Sequence, residues 1–331
     1  MTLPELWFVV IAVLFTGYFM LEGFDFGVGM LFPVLGRTEV RRRVLLNTIG
    51  PVWDGNEVWL ITAVGAMFAA FPAWYAAVFS GFYVLMLLIL VSIIVRVVSI
   101  EWRSKIDDPR WRRACDIGIM TGSVVPAFSW GVIFSTIVAG VAIDNDGKVS
   151  TTITAYSMLG GVAMLTLFAL HGIVFVGLKS AGQVSTDARE LVTKWSPVPF
   201  VAVSAFAVWT QLAHGKSWTW ILVAVIAGSV LAVSRLRDGW AFAATALAVV
   251  SVCGLMFSSL FPNVLPSTID AAYNLTVENA ASSDYTLQIV GGVALISMPV
   301  VMLYQGWSYW VFRKRIGVEN IPAAIGLPLR G

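Results

Sequence analysis

Charge is scarce in this sequence. Asp, Glu, Lys and Arg together make up 12% of its 331 residues, roughly half of the ~25% usual in a soluble domain, while 58% are apolar against the usual ~45–50%. A water-soluble globular fold is thereby excluded. The formal net charge of +2 supplies no electrostatic basis for a nucleic-acid partner. Cysteine is nearly absent, and Cys115 and Cys253 lie too far apart to form a redox CxxC or a cysteine metal pair. There are only two histidines, His171 and His214. That shortage excludes a multi-haem cytochrome held by His ligands alone, and no metal site is expected. The 11 methionines are read as packing residues.

In place of polar residues there are long apolar runs. A helix crossing the hydrocarbon core needs ~20 apolar residues, and nine such segments are predicted: 6–35, 51–71, 74–100, 116–143, 155–178, 198–212, 218–234, 240–260 and 287–312. The fold class is therefore an all-α polytopic membrane protein. With nine crossings, the Lys and Arg residues at 37–43, 103–113, 179–194, 235–237 and 313–330 fall on one side. Only Lys148 and Lys216 fall on the other, and Arg96 lies within the third segment. By the positive-inside rule the N-terminus is outside and the C-terminus cytoplasmic. Residues 1–5 carry no basic residue and the first apolar run is too long for a signal peptide, so this segment is expected to be a retained span. The outer connector 262–284 has no Lys or Arg. It reads as a solvated loop whose Asn274-Leu275-Thr276 sequon is coincidental.

A charge at the bilayer centre costs at least ~2.5–3.5 kcal/mol, so the ionisable residues inside the spans stand out. Glu22 and Asp25 share one face of the first segment at i, i+3, and Asp54 and Glu57 do the same in the second. Arg96 lies near the end of the third, so all five fall in the cytoplasmic half and can meet in one bundle. Two readings follow. In the structural one, Arg96 neutralises carboxylates while Asp54 and Glu57 favour a helix N-terminus. In the functional one, the excess of acid over base forms a proton route open to the cytoplasm. His171 is the isolated ionisable group of the later spans and reads either as a hydrogen-bonded packing residue or as a quinone contact or relay member.

Gly23, Gly27 and Gly29 allow close helix approach. Pro126 and Pro299 predict kinks. Trp7, Trp74, Trp102, Trp111, Trp218, Trp220 and Trp240, near span ends, read as interface anchors. An echo between LEGFDFGVGML, beginning at Leu21, and LHGIVFVGL, beginning at Leu170, suggests two related four-helix bundles, 1–143 and 144–261. The remaining region, 262–331, would hold the outer loop, a peripheral ninth span and a cytoplasmic tail.

Three stretches go further than composition. EGFDFGVGML from Glu22, GPVWDGNEVWLITAVGAMFAAFPAWYAAVFSGFY from Gly50 and WRSKIDDPRWRRACDIGI from Trp102 closely resemble subunit II of bacterial cytochrome bd quinol oxidases. The likeness extends more loosely through GLKSAGQV after the fifth span. The resemblance implies a respiratory terminal oxidase of the bacterial cytoplasmic membrane that oxidises quinol and reduces oxygen. Haems b and d would be carried by the larger, homologous subunit I, the expected partner, with small accessory subunits alongside. It further implies a proton path through Glu22, Asp25 and Asp54 with Arg96 as charge partner; Glu57 lies where the family pattern accommodates an amide. A bound quinone or lipid is implied as well. The rival readings are a proton-coupled transporter and a purely structural assembly subunit.

Overall fold

The computed structural model describes residues 1–322, so Arg330 and the end of the expected tail lie outside the described residues. The chain is built of helices α1 (Leu3–Met30), α2 (Phe32–Leu35), α3 (Glu39–Ile49), α4 (Trp53–Ala70), α5 (Pro72–Gly81), α6 (Tyr83–Trp102), α7 (Pro109–Ala139), α8 (Ala155–Lys179), α9 (Gly182–Trp195), α10 (Pro197–His214), α11 (Trp220–Val233), α12 (Asp238–Leu260) and α13 (Asp284–Val311). Two small antiparallel hairpins complete it. These are β1 (Ala142–Ile143) with β2 (Val149–Ser150), and β3 (Asn263–Leu265) with β4 (Leu275–Thr276).

Local chemistry sets the helix starts. Thr2 and Glu5 form a reciprocal capping box on α1. Asp108 accepts from the backbone N–H groups of Arg110 and Trp111 ahead of Pro109, which opens α7. Both α7 and α13 run on through their internal prolines, Pro126 and Pro299.

Among the described residues, α1, α6, α7, α8, α12 and α13 are each long and apolar enough to cross a membrane. The pair α9 and α10, bent by 48° at its break, makes a seventh if counted as one span. A helix also occupies the expected second segment, as the 18-residue α4, and the seventh, as the shorter α11. The third expected segment is interrupted. Phe82 leaves helical geometry at φ −106° and ψ 25°, dividing α5 from α6. The Thr151 hydroxyl donates to the Gly81 carbonyl at the break, so a side chain from the β1–β2 region satisfies an acceptor freed there.

Helix α1 is central, packing against α4, α7, α8, α12 and α13. Its crossing with α8 depends on two facing glycines. A Cβ on Gly172 would stand 2.4 Å from the Gly27 carbonyl carbon, and one on Gly27 would stand 2.1 Å from the Phe168 carbonyl oxygen. By contrast, α13 and α6 leave most of their apolar surface uncovered.

Two features differ from the sequence expectation. The 262–284 connector is solvated along much of its length but also folded onto the helices: Val264, Leu265, Val277 and Ala280 are buried, and the Ser282 hydroxyl and amide bond to the Ala69 and Ala70 carbonyls. In its sequon, the Asn274 side chain accepts from the Ser267 amide. Trp7 and Trp74 are core residues and not interface anchors, because this connector and the start of α13 enclose that end of α1. The Trp7 indole donates to the Leu287 carbonyl at 3.1 Å. Trp102, Trp218, Trp220 and Trp240 are exposed, and Trp111 is half-buried.

The basic segments gather at one end of the molecule. Arg41 pairs with Asp187 at 2.8 Å. Arg103 binds both Glu39 carboxylate oxygens, at 2.8 and 2.9 Å, and shares Asp116 with Arg42. Arg43 donates to the Pro322 carbonyl, and Lys179 to that of Phe312. Hydrogen bonds from Arg103 hold the Glu39 carboxyl below its ordinary pKa. Burial alone would lower the Arg103 value, but bonds to Glu39 and Asp116 raise it above that of a free arginine.

Candidate functional site: a buried acid and arginine cluster

Glu22 and Asp25 lie on α1, one helical turn apart and roughly 8–12 Å from its C-terminal end at ~1.5 Å per residue. Helix α4 approaches with Asn56 and Glu57 in its first two turns, and α6 contributes Arg96. Arg96 reaches this position because α7 presents no side chain at Gly122, where a Cβ would lie 2.5 Å from that of Arg96. Glu22, Asp25, Asn56 and Arg96 are fully buried.

One guanidinium nitrogen, Arg96 Nη1, binds Glu22 Oε1 in a close ion pair and stands 3.3 Å from Glu57 Oε1. The Phe26 ring lies below the guanidinium, its centroid 4.9 Å away. Asp25 Oδ2 accepts from Asn56 Nδ2 at 2.7 Å. Three buried or mostly buried carboxyls thus surround one cation. Glu22 Oε2 and Asp25 Oδ1 accept from no protein donor, and Arg96 Nε and Nη2 reach no protein acceptor, while the Asp25 carboxyl lies beside that of Glu22. An unmatched buried polar group costs about 1–3 kcal/mol, so this concentration of them sets the cluster apart from the apolar packing around it.

The structure brings together Glu22, Asp25, Glu57 and Arg96 but separates Asp54 from them. Asp54 is exposed in the first turn of α4, where a negative charge faces the positive end of the helix dipole. His171 lies on α8. Its Nε2 donates to the Met20 carbonyl at 3.0 Å and its Nδ1 lies 2.6 Å from the Thr245 hydroxyl, with the ring stacked on Phe242. A carbonyl only accepts, which fixes the proton on Nε2. Both ring nitrogens of His171 are thus engaged within the protein, and the side chain has no exposure.

Sequence reasoning passed over Asn56, Trp59, Gln305 and Tyr309. Gln305 and Tyr309 sit at i, i+4 on α13, and both donate to Asn56 Oδ1, at 3.1 and 2.8 Å. Trp59 Nε1 donates to Gln305 Oε1 at 2.7 Å. Two polar residues on one face of an otherwise apolar span were the signal available.

Among the described residues no group of three or more His, Cys, Asp or Glu side chains forms a metal site, and His171 has no nitrogen to spare. A groove of about 720 Å³ does open between α1 and α12, with an apolar lining that includes Phe8, Val13, Trp59 and Phe257 and with Glu5 and Lys216 at one end.

A helical integral membrane protein with an ionisable cluster sealed in its interior is the class this architecture defines. Comparison with known proteins narrows it. Residues 3–312 match the family model for cytochrome bd terminal oxidase subunit II. The chain is 43% identical over 328 residues to cytochrome bd ubiquinol oxidase subunit 2 of Bacillus subtilis (strain 168), covering 95% of this chain and 97% of that one. It is 33% identical over 362 residues to cytochrome bd-I ubiquinol oxidase subunit 2 of Escherichia coli (strain K12), covering 96% of each. The solved bd oxidase of Geobacillus thermodenitrificans contains a chain of the same fold, with a TM-score of 0.75 at 16% identity, covering 95% of this chain and all of that one. The chain belongs to the cytochrome bd terminal oxidase subunit II family, and it is a membrane-embedded oxidoreductase subunit.

Proposed function

We propose that this chain pairs with a haem-bearing subunit I to form a quinol:oxygen oxidoreductase of the cytoplasmic membrane, and that it carries protons from the cytoplasm toward the site of oxygen reduction. The observation that carries this reading is the buried Glu22, Asp25 and Glu57 set around the single cation Arg96. Three acids against one base leave an excess that protonation relieves, and carboxyls in such surroundings are suited to accept and release protons. Asp54, exposed at the start of α4, collects protons at the surface. Glu57 follows about one helical turn further in, and the unpartnered oxygens of Glu22 and Asp25 exchange protons through internal water. Arg96 keeps the cluster soluble in the protein interior by offsetting part of its charge.

The reading includes nine spans, with two four-helix groups and α13 at the periphery, the N-terminus outside and the C-terminus cytoplasmic. The gathering of basic segments at one end supports this orientation. Haems b and d belong to subunit I, whose chemistry supplies electrons to oxygen. Protons drawn from the cytoplasm, with quinol protons released outside, separate charge across the membrane without a pump. The groove between α1 and α12 accommodates the apolar chain of a quinone or lipid, and small accessory subunits have uncovered helix surface available on α6 and α13.

Asp25→Asn and Asp54→Asn, introduced into the complete oxidase, test the path. The expected result is an assembled complex with its full haem content and turnover reduced by at least ~10-fold for Asp25→Asn, with a smaller loss for Asp54→Asn. Full turnover in both assembled variants would remove the path and leave an assembly role.

A further inference from the structure

The hydrogen bonds leading from α13 to Asp25 run in one direction only, and the direction is set by a residue that cannot reverse it. An indole N–H donates and never accepts. Trp59 Nε1 therefore fixes Gln305 with its carbonyl oxygen toward the indole, which turns the Gln305 amide nitrogen toward Asn56. That nitrogen needs an acceptor, so Asn56 must present Oδ1 to it. The Tyr309 hydroxyl donates to the same oxygen. With Oδ1 held by two donors, Asn56 has only Nδ2 left to offer Asp25, and Asp25 Oδ2 accepts from it. Amide orientations are ordinarily ambiguous; here the indole removes the ambiguity along the whole chain.

We infer that Trp59, Gln305, Tyr309 and Asn56 are positioning residues that reserve Asp25 Oδ2 as a permanent acceptor and confine protonation of Asp25 to Oδ1. This rests on the proposed proton path and deepens it. Oδ1 is the oxygen that accepts from no protein donor, whereas a proton on Oδ2 would meet the Asn56 N–H at 2.7 Å. The chain of bonds thus selects which atom of the carboxyl handles the proton. It also makes α13, otherwise almost uncovered, part of the site. If both donors to Oδ1 are lost, the Asn56 amide is free to turn. Its oxygen then faces Asp25 and accepts from the protonated carboxyl, and the balance moves toward the protonated form. The other ionisable groups facing Asp25 are Glu22 on α1, Glu57 on α4, Arg96 on α6 and Tyr309 on α13.

The test uses the complete oxidase, with its partner subunit, extracted in mild detergent. Gln305→Met with Tyr309→Phe removes both donors to Asn56 Oδ1. The expected result is unchanged haem content and an alkaline decline of quinol-driven oxygen uptake displaced to higher pH by about one unit, equivalent to a tenfold change in the protonation equilibrium. Each single variant retains one donor and should shift the decline by less than half as much. Trp59→Phe releases only the Gln305 amide, should shift the decline in the same direction, and decides the question if the double variant does not assemble. A decline that stays in place in the assembled double variant, or in assembled Trp59→Phe if the double variant is lost, overturns the inference. Asp25→Asn separates this from the underlying path. Full turnover in that variant brings down both, while reduced turnover with an unmoved decline brings down the positioning role alone.

Discussion

Arg96 has no exposure and stands among three acids, so its removal leaves Glu22 buried beside Glu57 without a compensating charge. Breaking a buried pair from one side costs about 3–5 kcal/mol, chiefly because the remaining charge is stranded. Arg96→Leu is therefore expected to lower the melting temperature of the detergent-solubilised protein sharply. Glu22→Gln in the same background should recover part of that loss, since the amide needs no counter-charge. Size-exclusion chromatography after a temperature series measures both, and equal melting of the single and double variants would show that Arg96 acts through packing against Phe26 rather than through charge. The sequence made Glu22, Asp25 and Arg96 legible because a charge in an apolar run is costly wherever it points. It did not separate Glu57 from Asp54, because i, i+3 spacing describes a helix face but not where the helix emerges; one helical turn puts Asp54 at the surface and Glu57 under cover. Asn56 and Gln305 were harder to see, since an uncharged amide in a span raises no comparable alarm.

At the scale of elements, the long uninterrupted runs were readable to within a few residues, as for the expected 155–178 against the observed Ala155–Lys179. The division of α5 from α6 was not, because it depends on a carbonyl satisfied from residue 151, about 70 residues away. Helix α3 was also missed, its basic residues reading as an inner loop. It is docked at that end by Glu39 on Arg103 and by Arg41 on Asp187. The Glu39 carboxyl is held below its ordinary value in the folded state, so its contribution is complete above an unfolded pKa of ~4.3 and disappears as pH falls through the lower folded value. A spin label at Val40, which is exposed, should be restrained at neutral pH and become mobile only in acid below the ordinary carboxylate range. Glu39→Gln should make it mobile at neutral pH. A label equally restrained in the variant would assign the docking of α3 to Val44, Leu45 and Ile49, which are buried on its inner face.

For the whole molecule, the arrangement of charge and the arrangement of helices are two views of one constraint. Segments rich in Arg and Lys join the helices at one end, where ion pairs bind them to each other, while the other end is closed by the β1–β2 and β3–β4 hairpins, with Lys148 and Lys216 as its basic residues. The carboxyl cluster lies closer to the basic end, since Asp25 is near the finish of α1 and Glu57 near the start of α4. If the basic end is cytoplasmic, the cluster draws protons from the side where oxygen chemistry must take them; if it is outside, the proposed path runs the wrong way and cannot separate charge in the required sense. Cysteine labelling decides between these, and the background is low because Cys115 and Cys253 are both buried. Asp146→Cys, at the exposed tip of the β1–β2 hairpin, should react with a membrane-impermeant maleimide in intact spheroplasts, and Lys105→Cys, at the exposed α6–α7 turn, only in inverted vesicles. The opposite pattern would overturn the direction of the path while leaving the cluster and its hydrogen bonds intact.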